Sequence, residues 1–327
     1  MSKTVRWGFV GAGWMARAMA ADLAALPGCQ VHSVTARSHQ SAEDFGRQVE
    51  AKVASSLESL LADDEVDLVY ITSPNNLHFS QAKLALEAGK RVLCEKPFTL
   101  NAAQLADLVD LARARGLFLM EAMWVRFLPA VVRLRSLLAE GRIGDLTWLH
   151  ASFHSKPPRE PGNRFYDLGM GGGALLDLGV YPISFASMAF GGPPQRAVSS
   201  VTLSETGVDD RFSALFEYEG GGRAALSAGF GGYFEDQIVL QGTQGQIRIP
   251  RFDGWKMDRL FVDTPGAVEE IREPMVGKGY GYQAVEVVRC LEARELESPS
   301  MPLDESLAIM KTLDNLRTQW GMAFPGE

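Results

Sequence analysis

The stretch VRWGFVGAGWMARAMAADL, residues 5–23, decides the fold of the first half of the chain. Its first six residues are apolar except for Arg6, as in a strand that is buried on both faces of a parallel sheet. The next six read GAGWMA, and an alanine-rich run with helical spacing follows. A strand, a G-x-G-x-x-A turn and a helix in this order predict the first βαβ unit of a dinucleotide-binding domain.

The small residues of this turn have separate tasks. Gly11 permits the tight turn, and Gly13 lets the backbone approach a pyrophosphate. Trp14 and Met15 open the helix, whose N-terminal amides attract an anion. We therefore expect all four residues to bind a dinucleotide, although a glycine-rich turn without a ligand shows the same pattern.

The alternation of strands and helices continues beyond this unit and predicts a doubly wound parallel sheet. The predicted strands are 5–10, 31–36, 68–72, 91–94 and 117–120. One intervening helix begins near Phe79. Another covers 102–115, where Thr99 or Asn101 caps its start and Gly116 ends it.

The pattern changes after Trp124, where a helix at 128–140 leads into a strand at 146–153. Five strands separated by glycine-rich turns follow, at 197–204, 211–218, 223–230, 237–241 and 246–250. Helices return at 282–295 and 303–320. The second half is therefore expected to be α+β, with a large, open, mainly antiparallel sheet.

The predicted domains are an α/β Rossmann domain at 1–122 and an α+β domain for substrate binding and oligomerisation at 123–327. An alternative is that the last helix packs back on the first domain. Few helices remain to cover the second sheet, and an open apolar sheet face is normally buried. We therefore expect a homo-oligomer, either a dimer or a dimer of dimers.

Composition excludes several classes of protein. The 327 residues are 46% hydrophobic and 22% charged, as in an ordinary globular protein. The net charge of −8 gives no positive field that would attract nucleic acid. The three cysteines are widely spaced, which argues against a disulfide framework. We expect a cytoplasmic protein with a small-molecule substrate, because neither a secretory signal nor an apolar run of membrane-spanning length is evident.

The end of the second strand indicates which dinucleotide is bound. NAD sites usually place an acid there, whereas this strand ends in TARS, residues 35–38. Arg37 can pair with a 2′-phosphate through its planar set of donors, and Ser38 can add a hydroxyl. This favours NADP, with NAD still possible. The alternative is that Arg37 is a solvated loop residue.

Two more loops lie at the sheet edge where ligands of open α/β sheets bind, TSPNNLH at 72–78 and CEKP at 94–97. Their candidates for cofactor binding are Thr72, Pro74, Asn75, His78, Glu95 and Lys96. His78 equally fits a buried residue at a helix start. The ammonium group of Lys96 lies within plausible reach of a nicotinamide, and an exposed loop lysine is the alternative.

The run GGGALLDLGVYP, residues 171–182, predicts entry into a helix that carries Asp177 and Tyr181. Their spacing places both on one face if the helix is continuous. Pro182 either kinks this helix or begins a second one. A buried tyrosine in an apolar helix is the alternative to a functional one.

These segments together resemble the Gfo/Idh/MocA oxidoreductase family over essentially the whole chain. CEKPFTLNAAQ, GLFLMEAMWVRFLPA, GGGALLDLGVYPISFASMAFGG and ETGVDD are similar to its branch of dimeric trans-dihydrodiol and NADP-dependent D-xylose dehydrogenases. The resemblance implies that Lys96 is the catalytic lysine of the E-K-P motif and that Asp177 is the family's aspartate. Most members have histidine where Tyr181 stands, and tyrosine matches the dihydrodiol, xylose and glucose-fructose enzymes.

The resemblance implies hydride transfer between nicotinamide and a secondary alcohol or hemiacetal carbon of a sugar or trans-diol. Oxidation needs a base, and Tyr181 is our candidate because a nearby ammonium such as that of Lys96 would lower the pKa of a phenol. Asp177 would orient a substrate hydroxyl or the lysine, Trp124 would contact the substrate, and no metal is required. Further aromatic candidates, for which core packing is an equal alternative, are Phe153, Phe165, Tyr166 and Trp255.

Two other functions fit the same sequence. A non-catalytic regulatory protein would need only NADP binding and a partner surface. An enzyme of the glucose-fructose oxidoreductase type would keep NADP bound and cycle it between two sugars. The presence of Lys96, Asp177 and Tyr181 favours a dehydrogenase or reductase, because a regulator has no use for proton-transfer groups.

Overall fold

The computed structural model describes residues 4–160, 162–232, 236–250 and 256–327. Contacts divide the chain into unit 1, Met1–Phe127 with Val276–Ser306, and unit 2, Leu128–Met275 with Leu307–Glu327. The sequence-based division at residue 122 does not include this late return to unit 1. The return has a physical cause, because Asp22 accepts hydrogen bonds from the backbone amides of Lys278, Tyr280 and Gly281 at 2.8–3.1 Å.

Unit 1 contains a six-stranded sheet. Its strands are β1 (Val5–Val10), β2 (Cys29–Thr35), β3 (Lys52–Val53), β4 (Leu68–Ile71), β5 (Arg91–Glu95) and β6 (Leu119–Ala122). All pairs are parallel and the order is β3-β2-β1-β4-β5-β6. This confirms the predicted doubly wound sheet, and the direction of strand addition reverses between β1 and β4, where such sheets bind ligands.

Five helices connect these strands: α1 (Trp14–Leu23), α2 (His39–Val49), α3 (Leu57–Leu61), α4 (Asn75–Glu87) and α5 (Ala102–Arg115). The prediction for α5 holds, because Asn101 Oδ1 accepts a hydrogen bond from the Gln104 amide and Gly116 ends the helix at φ +61°. The helix predicted from Phe79 begins earlier, at Asn75. Pro74 stands directly before it, where a missing amide hydrogen costs nothing.

Unit 2 contains an eight-stranded sheet. Its strands are β7 (Leu146–His154), β8 (Arg196–Leu203), β9 (Asp209–Glu217), β10 (Arg223–Gly229), β11 (Gln237–Gly242), β12 (Gln246–Pro250), β13 (Arg259–Thr264) and β14 (Ala267–Arg272). The order is β14-β13-β12-β11-β7-β10-β9-β8, and every pair is antiparallel except β7 with β10. The mainly antiparallel sheet is confirmed, whereas the sequence did not predict β13 and β14.

The remaining helices are α6 (Pro129–Ala139), α7 (Val180–Phe190), α8 (Gly281–Ala293) and α9 (Leu303–Gln319). Among the described residues, one helical run, Leu168–Phe190, has the length and mean hydropathy (1.3) of a membrane-spanning helix, although glycines, Asp177 and Pro182 interrupt its apolar residues. Its apolar window is 78% buried inside the protein. The run is therefore accounted for as a core helix, and α7 packs on β7 and β10.

One face of the second sheet exposes apolar side chains near its β8 edge. A single row of paired residues crosses all eight strands: Val198, Leu215, Ala225, His150, Val239, Arg248, Phe261 and Glu270. Val198 is 43% exposed and its cross-strand partner Leu215 is 48% exposed. Leu149 and Ala224, which alternate with this row, are fully buried on the other face. We call the row of eight residues the open face.

Candidate active site

The glycine-rich turn joins β1 to α1 and has room for a ligand. Gly11 has φ +115°, and a side chain there would collide with Thr72 Oγ1, so the position requires glycine. A Cβ on Gly13 would meet no heavy atom within 4 Å. No side chain caps the amides at the start of α1, where Trp14 and Met15 stand. Free space beside uncapped amides fits the pyrophosphate of a dinucleotide.

Arg37 and Ser38 follow β2, as predicted. Arg37 is exposed, and its side chain makes no hydrogen bond or ion pair with any residue that the structure describes. Ser38 has a structural task that the sequence analysis did not assign, because its Oγ accepts a hydrogen bond from the Ser41 amide and caps α2. The guanidinium group of Arg37 is therefore the group at this strand end that is available for a 2′-phosphate.

The loop after β4 packs against the glycine-rich turn. Thr72 Oγ1 donates a hydrogen bond to the Val10 carbonyl at 3.2 Å, which holds β4 beside the end of β1. Pro74 occupies the N-cap position of α4 without a side-chain hydrogen bond, and Asn75 is the buried first residue of that helix. The structure thus brings Thr72, Pro74 and Asn75 to the edge of the sheet where Gly11 lies.

His78 braces two loops from inside the protein. Its side chain is 1% exposed, and its Nε2 and Nδ1 lie 2.8 Å from the carbonyl oxygens of Ser73 and Pro97. These carbonyls belong to the loops that follow β4 and β5. Of the two sequence interpretations of His78, the geometry favours the buried residue at a helix start. Through Pro97, His78 fixes the loop that contains Lys96.

Glu95 and Lys96 lie at the end of β5. The buried Glu95 accepts a hydrogen bond of 2.5 Å from the Tyr70 hydroxyl, and burial raises the pKa of Tyr70 well above its ordinary value. Lys96 is half-buried and is followed by a cis peptide bond to Pro97. Glu95 therefore already has a partner inside unit 1, whereas Lys96 stands where the chain leaves the sheet.

Glu121, which sequence analysis did not single out, supports the loop that contains Lys96. It is 2% exposed in β6 and accepts hydrogen bonds from the Phe98 amide at 3.3 Å and from Ser306 Oγ at 2.9 Å. Burial raises the pKa of Glu121 to about 7, against the lowering effect of these two hydrogen bonds and of Arg126. Its only sequence signal is a carboxyl group inside an otherwise apolar strand.

Three aromatic rings of unit 1 form a cluster. The Tyr280 ring lies 4.7 Å from the ring of the buried Trp124 and 6.1 Å from that of Trp14, which is 65% exposed. Lys278 Nζ lies 5.6 Å from the Trp14 ring. The sequence predicts that Trp14 binds the cofactor and that Trp124 contacts the substrate. It does not predict Tyr280, because that residue is distant in sequence and lies in the segment that returns to unit 1.

Asp177 and Tyr181 lie on one helical run in unit 2. A π-helical turn, Leu175–Gly179, leads directly into α7, so the run is continuous and Pro182 does not begin a separate helix. Pro182 has no amide hydrogen to donate to the residue four positions earlier, which agrees with a widened turn at this point. The prediction that one run carries both side chains fits this geometry.

The side chains around this run are aromatic and basic. Tyr181 is 5% exposed and its ring stacks on Phe153 with a centroid distance of 5.5 Å. Arg164 Nη2 lies 3.6 Å from Asp177 Oδ1. The candidates Phe165 and Tyr166 both pack edge-on against Phe230, as core residues do. Trp255 lies outside the described residues.

One further group of chemically active side chains lies beside β2 and β3. His32, Asp63 and Glu65 are close enough to hold a metal ion. Lys52 Nζ lies 3.1 Å from Asp63, and Arg6 pairs with Glu65 at 2.8 Å. The pKa of Asp63 is lowered to about 2, mainly by the Glu65 amide and also by Lys52 and His32. This group is an ion-pair network with its own cations.

Two family models match the chain. Residues 5–123 match the oxidoreductase family GFO/IDH/MocA with an NAD-binding Rossmann fold, and residues 131–248 match the GFO/IDH/MocA C-terminal domain. The chain is 37% identical over 333 residues to trans-1,2-dihydrobenzene-1,2-diol dehydrogenase of Mus musculus, covering 98% of both chains. The Homo sapiens enzyme of the same name shows the same identity and coverage.

Solved structures with the same fold include two oxidoreductases. A 3-ketoreductase from Actinomadura kijaniata, crystallised with NADP and TDP-benzene, has a TM-score of 0.86, 27% identity, and coverage of 97% of this chain and 98% of that chain. Aldose-aldose oxidoreductase from Caulobacter crescentus has a TM-score of 0.89 and 18% identity over 98% of both chains, so it shows the fold alone.

Proposed function

Because the chain belongs to the Gfo/Idh/MocA oxidoreductase family, we propose that it is an NADP-dependent dehydrogenase acting on the CH–OH group of a trans-diol or a sugar. The observation that carries this proposal is the full-length similarity to the trans-dihydrobenzenediol dehydrogenases, whose name states a diol substrate. A sugar remains within the class, because the diol and the sugar present the same vicinal hydroxyl chemistry.

The preference for NADP is supported by the end of β2. Arg37 stands where NAD enzymes place a carboxylate, and its guanidinium group is exposed. Such a group binds a 2′-phosphate with two parallel hydrogen bonds. The related Actinomadura ketoreductase was crystallised with NADP. The proposed pyrophosphate position is the free space beside Gly13, described above.

In the proposed chemistry, a bound nicotinamide would supply the acceptor for the hydride of the alcohol carbon. Tyr181 takes the hydroxyl proton, so that the alcohol becomes a carbonyl, and returns a proton in the reverse reduction. Lys96 assists as a cation that favours the phenolate form of Tyr181 and polarises the substrate oxygen. Asp177 orients a substrate hydroxyl or the lysine, and Trp124 contributes an apolar contact.

Variants of the Actinomadura ketoreductase support the choice of these two residues. That enzyme has been solved with one tyrosine replaced by phenylalanine, and with one lysine replaced by alanine or by glutamate. The lysine and the tyrosine are separated there by nearly the same number of residues as Lys96 and Tyr181 are here. A non-catalytic NADP-binding regulator is the competing function, and it would need neither residue.

We also propose that the protein forms a homodimer through the open face. Val198 on β8 and Leu215 on β9 expose apolar surface side by side, at one end of the row that crosses the sheet. Apolar surface of this kind, surrounded by polar residues, is typical of a protein interface. Arg248 and Glu270 of the same row supply charges of both signs, as a self-complementary surface requires.

The proposed function is tested by measuring the formation of NADPH with trans-dihydrobenzenediol, D-xylose, other aldoses and inositol, and by running the reverse assay with keto sugars. We expect turnover with a diol or an aldose and a higher kcat/KM with NADP than with NAD. Tyr181→Phe is the control that removes the proposed acid/base. NADP binding without turnover of any of these substrates would favour the regulatory alternative, and NADP that stays bound through purification would favour the glucose-fructose type.

A further inference from the structure

Asp209 begins β9 and contacts the run that carries Asp177 and Tyr181. Its Oδ2 accepts a hydrogen bond of 2.5 Å from the backbone amide of Leu175, and both groups are buried. The run has no side-chain cap of its own at Ala174. Asp209, which lies on a strand outside the run, therefore supplies the acceptor for an amide in the first turn of the run.

The turn before Leu175 is shaped around the carboxyl group of Asp209. Gly173 has φ +118°, and a side chain there would collide with Asp209 Oδ1. Oδ1 is itself buried and has no hydrogen-bond partner in the part of the chain that the structure describes. A buried oxygen without a partner destabilises a protein. Because Asp209 lowers the stability of the protein in this way, its presence indicates a functional role.

The charged groups that face Asp209 oppose each other. Arg317 on α9 lowers the pKa of Asp209, and Asp210, the next residue of β9, raises it. Arg317 already pairs with Glu327 at 2.6 Å and Asp314 at 2.7 Å. Burial has the largest effect and raises the pKa of Asp209 to about 8. At neutral pH the side chain is therefore mostly protonated, and asparagine is its closest mimic.

We propose that Asp209 is a positioning residue that fixes the first turn of the run carrying Asp177 and Tyr181. The inference rests on the proposed function, since Asp209 has this task only if the run carries catalytic groups. The Leu175 amide lies two residues before Asp177, so loss of its acceptor frees the turn that orients the aspartate. Displacement of a catalytic group by about 1 Å can reduce the rate by about 100-fold.

Two replacements in the full chain test the proposal. Asp209→Ala removes the acceptor and should lower kcat at least ~10-fold, while the Kd for NADP stays within ~3-fold. Asp209→Asn retains an oxygen for the Leu175 amide and should keep kcat within ~3-fold of the wild type. Glu140→Ala is the control, because it also removes a hydrogen-bonded carboxylate of unit 2, one that pairs with Arg133 on α6. We expect its kcat to be unchanged.

The pH dependence of kcat distinguishes the positioning role from a purely structural one. Only the wild type has a titrating group at position 209, and above its pKa part of the charge would lie on Oδ1, which is buried and has no hydrogen-bond partner among the described residues. The ratio of kcat for Asp209→Asn to kcat for the wild type should therefore rise as the pH increases through about 8. This test remains available if Asp209→Ala does not fold.

A ratio that stays constant with pH, or a normal kcat for Asp209→Ala, overturns the positioning role. The positioning role is also overturned if Asp209→Asn is as impaired as Asp209→Ala. The oxygen that accepts the hydrogen bond from the Leu175 amide would then have no effect on kcat. Asp177→Asn and Tyr181→Phe separate this failure from that of the proposed function. If both keep a normal kcat, the proposed chemistry is wrong. If both lose activity while Asp209→Ala does not, only the role of Asp209 is wrong.

Discussion

Replacement of Glu121 by glutamine should change how the stability of the protein depends on pH. Glu121 is buried in β6, between the Phe98 amide and the Ser306 hydroxyl. Glutamine has nearly the same shape, and its amide oxygen can accept the hydrogen bond from Phe98. The substitution therefore removes the titrating proton while it keeps most of the packing.

The magnitude follows from the pKa of this carboxyl group. Burial raises it from 4.5 in the unfolded chain to about 7 in the folded protein. The difference corresponds to about 3 kcal/mol, because one pKa unit is worth about 1.4 kcal/mol. A raised carboxyl pKa stabilises the folded state fully below the unfolded pKa, and this contribution is lost as the pH rises through the folded pKa. The loss therefore falls between about pH 4.5 and about pH 7.

The assay is urea unfolding of the wild type and of Glu121→Gln at several pH values between about 5 and about 8. The free energy of unfolding of the glutamine variant, relative to the wild type, should increase across this range by up to about 3 kcal/mol. Glu292→Gln, at an exposed position of α8, is the control and should show no such trend. Parallel curves for the wild type and Glu121→Gln would refute the reasoning, because Glu121 would then ionise equally in both states.

Three further outcomes follow from the site and the sheet. Arg37→Asp should weaken NADP binding and shift the preference towards NAD, because it removes the phosphate partner and adds a ribose acceptor; tighter NAD than NADP binding by the wild type would contradict this. Lys96→Met and Tyr181→Phe should each lower kcat at least ~100-fold with NADP affinity kept within a few-fold, and the double variant should be little worse than either, as pre-steady-state and binding assays can show. Leu215→Glu should convert a dimer into monomers in light scattering, and a wild type that is already monomeric at micromolar concentration would exclude the dimer.

The first sheet could be predicted from sequence because its pattern is local. Each strand is a short apolar run, and the G-x-G-x-x-A turn after β1 can be recognised from consecutive residues. β3 escaped prediction because two residues, Lys52 and Val53, are too few to show a period. β14 escaped because all but one of its side chains are exposed, so that apolar and polar residues do not alternate as in a half-buried strand.

The supporting residues of the site could not be predicted in the same way. Arg37 could be predicted because it stands where NAD sites place an acid. Tyr181 could be predicted because its segment resembles a known family. Sequence does not predict the roles of Glu121, Asp209 and Tyr280, because these residues contact partners far along the chain. Glu121 accepts a hydrogen bond from Ser306, and Asp209 accepts one from Leu175. A sequence gives no measure of burial for a single carboxyl group, and burial is what makes these two acids unusual.

The return of residues 276–306 to unit 1 has a consequence for the order in which the protein can fold. Asp22 and its partner Lys278 are 256 residues apart, and the whole sheet of unit 2 is synthesised between them. On the ribosome, the strands of unit 1 emerge before those of unit 2, yet unit 1 gains α8 only after the whole sheet of unit 2 has been synthesised. Such distant contacts slow folding and leave partly formed intermediates exposed to aggregation. A nascent chain that stops before residue 276 would lack residues 276–306 of unit 1 and residues 307–327 of unit 2, so neither unit would be complete.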